Sequence, residues 1–195
     1  IDVDIHTIRN FRLYGELFLD DLQSPWEIFK DDWRNKRAFT LGCEILDPAG
    51  LRDTRIRSEY TRIDPFVYTH NDSMNVYEHY NIGLGSRLQP NSDALNMSVK
   101  HWFSFRLRTF IEYEIMRHGP GKRRQPHRPS MSEGKEFLAG TIEKRIRLGG
   151  GVEWELSRDC WLNAYAGVKR QYNKALEKGE DSSFFESTVN VLINW

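Results

Sequence analysis

Apolar residues recur along this chain with a period of two. Val3 and Ile5 alternate with Asp2, Asp4 and His6, and Phe11, Leu13, Gly15, Leu17 and Leu19 alternate with Arg12, Tyr14, Glu16 and Asp20. This is the pattern of strands with one apolar and one polar face. It returns at Phe39–Ile45, at about Leu51–Arg62, from Ala94 to Val99, over Leu107–Ile115, over Cys160–Val168 and over Phe185–Trp195. Between 138 and 156 the apolar residues Leu138, Ile142, Ile146, Leu148, Val152, Trp154 and Leu156 all fall on even positions. The phase survives Gly149-Gly150-Gly151, which predicts one very long strand bent at its glycines. Nine strands result.

Their connections alternate between short and long. Short turns fall near Asn10, Asp47–Gly50, Phe103–Phe105 and Ser157–Asp159, and long loops at 21–36, 63–93, 118–135 and 173–183. Within the first long loop, Ser24-Pro25-Trp26-Glu27 has the signature of a helix start. It predicts a short helix with Trp26, Phe29 and Trp33 on one face. The stretch from Arg55 to Asp93 begins as a strand and becomes a long loop rich in Tyr, His and Asn. A loop of this length between strands is usually functional.

Composition narrows the classes. The 195 residues suit a single domain spanning 1–195. Lys and Arg number 28, Asp and Glu 28, so a general nucleic-acid binder is disfavoured. No apolar run is long enough for a membrane helix, but a transmembrane barrel alternates and has an unremarkable mean hydropathy. Cys43 and Cys160 lie far apart on apolar strand faces, which reads as free thiols, and no metal-type spacing appears. The chain starts at Ile1, without Met or a targeting segment, as a mature protein or a piece of one would.

Short turns at one end and long loops at the other are the asymmetry of outer-membrane barrels, with periplasmic turns and extracellular loops. The expected fold class is therefore all-β: antiparallel transmembrane β-barrel strands in the outer membrane of a Gram-negative bacterium. The aromatic Trp195 on the last alternating strand resembles the C-terminal assembly signal of such proteins. A soluble β-sandwich or lipocalin-like barrel alternates too, with its apolar face turned inward. Single-chain bacterial barrels have an even number of strands, and open edges do not survive in lipid. Nine strands thus suggest the C-terminal half of a larger barrel, its other strands in preceding sequence or in another chain.

Several short motifs occur in a family-like order. Glu59-Tyr60-Thr61-Arg62, Pro65, Tyr68-Thr69-His70, Tyr77, His79-Tyr80, Gly83–Gly85 and Pro90-Asn91-Ser92-Asp93 resemble the late-barrel pattern of the Wzi-like capsule assembly proteins. Tyr14-Gly15-Glu16 with Asp20-Asp21, and Arg117-His118-Gly119, resemble it as well. The resemblance implies an outer-membrane barrel of about eighteen strands and a surface lectin that tethers capsular polysaccharide. The helical segments that such proteins carry before the barrel are absent here.

The candidate residues follow. Tyr68, His70, Tyr77, His79, Tyr80, Asn91 and Asp93 form either a sugar platform or a plug folded into the lumen. Lys122, Arg123, Arg124 and Arg128 make a basic loop for an acidic polysaccharide or for lipopolysaccharide phosphate. Arg55, Arg57, Glu59, Arg108, Glu112, Glu114, Arg145 and Arg147 read as a salt-bridged lumen wall rather than as catalytic carboxylate pairs. No phosphate loop, nucleophile elbow or zinc signature appears, and no cofactor or metal is expected. The expected partners are outer-membrane lipid, lipopolysaccharide, surface polysaccharide, and the remaining barrel strands or other outer-membrane proteins. The alternatives are a porin-like channel and an enzyme barrel acting on lipid or glycan.

Overall fold

The structure is a computed structural model that describes residues 1–22, 24, 26, 28, 30, 32–70, 78–79, 82–83, 85–122, 124–128, 130–131 and 134–193, with backbone alone at 78–79 and 82–83. The described residues form eleven strands: β1 (Asp2–Ile5), β2 (Phe11–Asp21), β3 (Lys36–Leu46), β4 (Thr54–Ile63), β5 (Glu78–His79), β6 (Ile82–Gly83), β7 (Ser92–Ser104), β8 (Leu107–His118), β9 (Glu143–Ser157), β10 (Cys160–Tyr172) and β11 (Ser182–Ile193). Nine of them form one sheet in the order β1-β2-β3-β4-β7-β8-β9-β10-β11, while β5 and β6 pair as a separate small hairpin. Every pairing in the large sheet is antiparallel and joins strands consecutive in the chain, apart from β4 and β7, which flank the β5–β6 hairpin, so the large sheet is a meander. The expected nine strands and their alternating short and long connections are present.

Two local expectations are corrected. The ninth strand begins at Glu143, not at Leu138, because Leu138 and Gly140 take positive φ of 56° and 80° and interrupt the extended chain. The register with β8 and β10 runs without a shift through Gly149–Gly151, so no bulge lies there. The predicted helix at Trp26–Trp33 lies partly outside the described residues; those that are described contain no α-helix, and Trp33–Arg34 form a turn beside the bridge from Asp32 to Gly134.

One face of the sheet is a wide apolar surface. Leu41, Ile111, Leu148, Val168, Phe185 and Val189 all point outward from it and remain exposed. A water-soluble monomer rarely leaves a contiguous apolar face of this size bare. Cys43 and Cys160 belong to this face as half-buried free thiols. From Ile146 to Leu156 along β9 the chain spans about 34 Å, which is about 25 Å in height at a tilt of roughly 40°.

The other face is polar, and register arranges it in rows. Tyr14, Gly42, Glu59, Asn96, Glu114 and Arg147 stand side by side across β2, β3, β4, β7, β8 and β9. At the long-loop end the same face turns apolar with Phe18, Ala38, Ile63, Ala94 and Met116. Val67, Tyr68 and Leu88 from the β4–β7 loop pack on that patch and form the buried core with it. The described ends of this loop, 64–70 and 85–91, therefore fold back over the polar face.

Two glycines explain how aromatic rings fit on this face. A Cβ at Gly42 would collide with the Tyr14 ring, and one at Gly149 with Tyr165, whose hydroxyl also reaches over Gly167. Both tyrosines lie flat across glycine backbone. Replacing Gly149 with Val should therefore overpack the wall and lower the unfolding free energy of the whole protein by about 1–3 kcal/mol. Urea unfolding in detergent measures this, and an unchanged midpoint would contradict the packing.

Candidate functional site

The loops at the long end are tied to the sheet by buried polar groups. Asp64, just past the end of β4, is fully buried and bonds Arg37 at 2.8 Å, Arg62 at 2.9 Å and Lys135 at 2.8 Å. Lys135 comes from the β8–β9 loop and also donates to the Asn35 carbonyl. One carboxylate thus joins three chain segments. Lys36 donates to the Thr69 carbonyl at 2.7 Å and the Tyr68 N–H donates to Asp20 Oδ2 at 2.8 Å. Asn91 accepts from the Leu138 N–H and donates to the Pro120 carbonyl, each at 2.8 Å.

Below the folded loop lies a cavity of about 440 Å³ lined by Arg57, Glu59, Asn96, Ser98, Glu112, Glu114 and Arg147, with Ser86, Arg87 and Leu88 at its loop side. Arg87 donates to Glu114 at 2.6 Å and to Asn96 at 3.2 Å, joining loop to wall. Two similar clusters flank it. On one side Tyr14 donates to Glu59 at 2.6 Å, and Arg57 bonds both Glu59 and the Tyr14 hydroxyl. On the other, Tyr165 donates to Glu186 at 3.0 Å and Arg147 bonds Glu186 at 2.6 Å, its guanidinium 5.2 Å from the Tyr165 ring. A second cavity of about 440 Å³ adjoins it, lined by Glu16, Phe18, Thr40, Thr61, Tyr68 and Ser86.

The expected lumen charges are largely paired. Arg55 lies 3.8 Å from Glu44, Arg108 bonds Glu153, and Arg145 bonds Glu143 at 2.6 Å while Gln171 also donates to it. Glu112 has no hydrogen-bond or ion-pair partner among the described residues, and it faces the first cavity.

The candidate loop residues separate. Tyr68 is buried, with φ 65°, and packs on Phe18 at 5.4 Å between centroids. His70 sits 3.6 Å from Asp20. Asn91 and Asp93 are buried, and Asp93 bonds Arg117 and Tyr60 on the outward face. Tyr77 and Tyr80 lie outside the described residues, as do Phe29, Arg123 and Trp195, and the side chain of His79 does too. Trp26 is 94% exposed, whereas Trp33 stacks on His127 at 4.1 Å. Lys122, Arg124 and Arg128 are exposed on the β8–β9 loop. No cluster of His, Cys, Asp and Glu able to hold a metal occurs among the described residues.

Sequence reasoning missed Tyr14, Arg87, Asn96, Ser98, Tyr165 and Glu186. Period two places all but Arg87 on the polar strand faces. Only register makes them neighbours, and Arg87 lies in a loop with no period at all.

The sequence model of the family described as capsule assembly protein Wzi matches residues 2–184. The chain belongs to this family. No curated protein and no solved structure matches the chain. The family is one of outer-membrane capsule assembly proteins, not a known enzyme family, and the all-β sheet with its bare apolar face agrees with it.

The Asp64 cluster sets an expected outcome. Asp64→Asn leaves Arg37, Arg62 and Lys135 without their shared charge and should cost about 3–5 kcal/mol. Limited proteolysis should then cut at 64–70 and 118–142, where the parent chain resists; equal resistance would contradict the role of Asp64. Acid should act differently on Asp32, which the Arg34 guanidinium holds down at about 2. A depressed carboxylate stabilises the fold fully above its free value near 3.8 and loses that contribution as pH falls toward 2. The turn at Asp32–Arg34 should stay intact at pH 5 by amide exchange.

Proposed function

We propose that this chain is part of an outer-membrane β-barrel that holds capsular polysaccharide without transforming it. Further strands, in sequence beyond this chain or in another chain, close the barrel at β1 and β11. The observation that carries the reading is the cavity between the folded β4–β7 loop and the charged wall. It offers guanidinium, amide, hydroxyl and carboxylate groups together, the set that bonds sugar hydroxyls and acidic sugars. Charge-assisted hydrogen bonds of this kind are the stronger ones. Arg87 keeps 69% of its side chain exposed and Glu112 has no partner among the described residues, so both have capacity left for a ligand.

The carboxylates favour binding over chemistry. Glycoside hydrolysis needs an acid kept protonated near neutral pH. Glu59, Glu114, Glu143 and Glu153 are each ion-paired with an arginine, so none of the four stands free as a proton donor. A porin-like channel is the second reading, since a charged lumen also suits ions. The loop packed on the polar face speaks for obstruction instead.

Two measurements on the whole protein separate these readings. The double substitution Arg87→Ala with Glu112→Ala should lower capsular polysaccharide retention about tenfold or more, as loss of charged hydrogen bonds does, with folding intact. Planar bilayers should show no steady current for the parent protein. Steady open currents with no glycan retention would overturn the proposal in favour of the channel.

A further inference from the structure

A row of cations crosses the apolar face at its long-loop end. Register places Phe39, Arg62, Asp93, Arg117, Lys144 and Tyr172 side by side on β3, β4, β7, β8, β9 and β10. The next outward position toward the turns on β10 is Arg170, paired with Ile146. Below it this face is apolar, through Leu95, Ile115 and Ile146 and on to Leu148 and Val168. Arg62, Arg117, Lys144 and Arg170 thus form a basic band directly above the apolar surface, with aromatic residues at both ends of the row.

Among the described residues this band is not neutralised. Asp93 is the carboxylate in the row, and Arg117 spends its Nε and Nη2 on it while keeping 46% of its side chain exposed. Asp64, the partner of Arg62, is shared with Arg37 and Lys135. Lys144 and Arg170 have no ion pair among the described residues. Asp93 itself is buried and braced by the Tyr60 hydroxyl at 3.0 Å, so it orients Arg117 along the surface rather than into solvent.

We propose that this row binds the phosphates of a glycolipid in the outer membrane leaflet, whose acyl chains cover the apolar face beneath. The inference rests on the outer-membrane reading and concerns the face opposite the glycan cavity. Charge decides the occupant: several guanidinium and ammonium groups in line suit multiple phosphates, and the apolar rows below suit acyl chains. A polysaccharide lacks those chains, and a free anion would gain nothing from the apolar surface.

The test uses the whole protein in phosphatidylcholine nanodiscs doped with bisphosphorylated lipid A, with its dephosphorylated form in a parallel arm and inorganic phosphate as competitor. The parent should retain bisphosphorylated lipid A by native mass spectrometry, hold the dephosphorylated form far less, and resist millimolar phosphate. Lys144→Ala with Arg170→Ala removes two cations that make no ion pair among the described residues, and should weaken retention about thirtyfold, roughly fivefold per interfacial cation. Arg9→Ala with Arg52→Ala, two exposed cations at the short-turn end, should leave it unchanged. Equal retention by the Lys144/Arg170 variant, equal binding of dephosphorylated lipid, or displacement by free phosphate would each overturn the inference. A protein that enters nanodiscs and retains polysaccharide while ignoring lipid phosphate refutes this row alone. A protein that fails to enter nanodiscs refutes the outer-membrane reading.

Discussion

A buried carboxylate that must not lose its partners sets the layout of the long-loop end. Asp64 is fully removed from solvent, and a lone charge there would be intolerable. It persists because Arg37 and Arg62 reach it from adjacent strands and Lys135 from a loop far along the chain. That geometry fixes where the chain leaves β4. From there Val67 and Tyr68 are delivered onto the apolar patch of Phe18, Ala38 and Ile63. Their burial in turn supports the positive φ of Tyr68, which a bulky residue adopts only when its surroundings impose it.

The remaining features follow from which face the loop covers. The covered face carries charges paired across strands, so a polar surface is stabilised without water on every side. Tyrosines flattened over Gly42 and Gly149 keep that wall thin enough to leave cavities beneath the loop. The uncovered face carries the apolar rows and needs a different solvent. Charge returns to it in the band of Arg62, Arg117, Lys144 and Arg170, where a bilayer would give way to headgroups.

Strand number, loop asymmetry and the polarity of each face were legible because a period of two survives in every strand. Period two puts Glu59, Glu114 and Arg147 on polar strand faces, and the register sets them in one row. Their adjacency to Asn96 and Tyr14 was not legible, because register comes from pairing and not from pattern. Loop residues were read least well. Asn91 and Asp93 had the chemistry of a sugar site, yet they tie loops together and brace Arg117. Nothing local distinguishes an amide that binds sugar from one that binds a neighbouring carbonyl. Leu138 looked like strand because it keeps the apolar phase, while its left-handed backbone is imposed by Asn91. Ser24–Trp33 had a helix start but no packing partner for the Trp26 side of a helix.

The account stands on the polar face being interior and the apolar face meeting lipid. The most direct measurement places single fluorescent labels at Leu148→Cys, Val189→Cys and Ser98→Cys in the whole protein, with Cys43 and Cys160 replaced by Ser, in lipid bilayers. Labels at 148 and 189 should be quenched by lipid-borne quenchers and ignore aqueous iodide, while the label at 98 should ignore the lipid quenchers. Lipid quenching at 98 with iodide quenching at 148 and 189 would contradict the account.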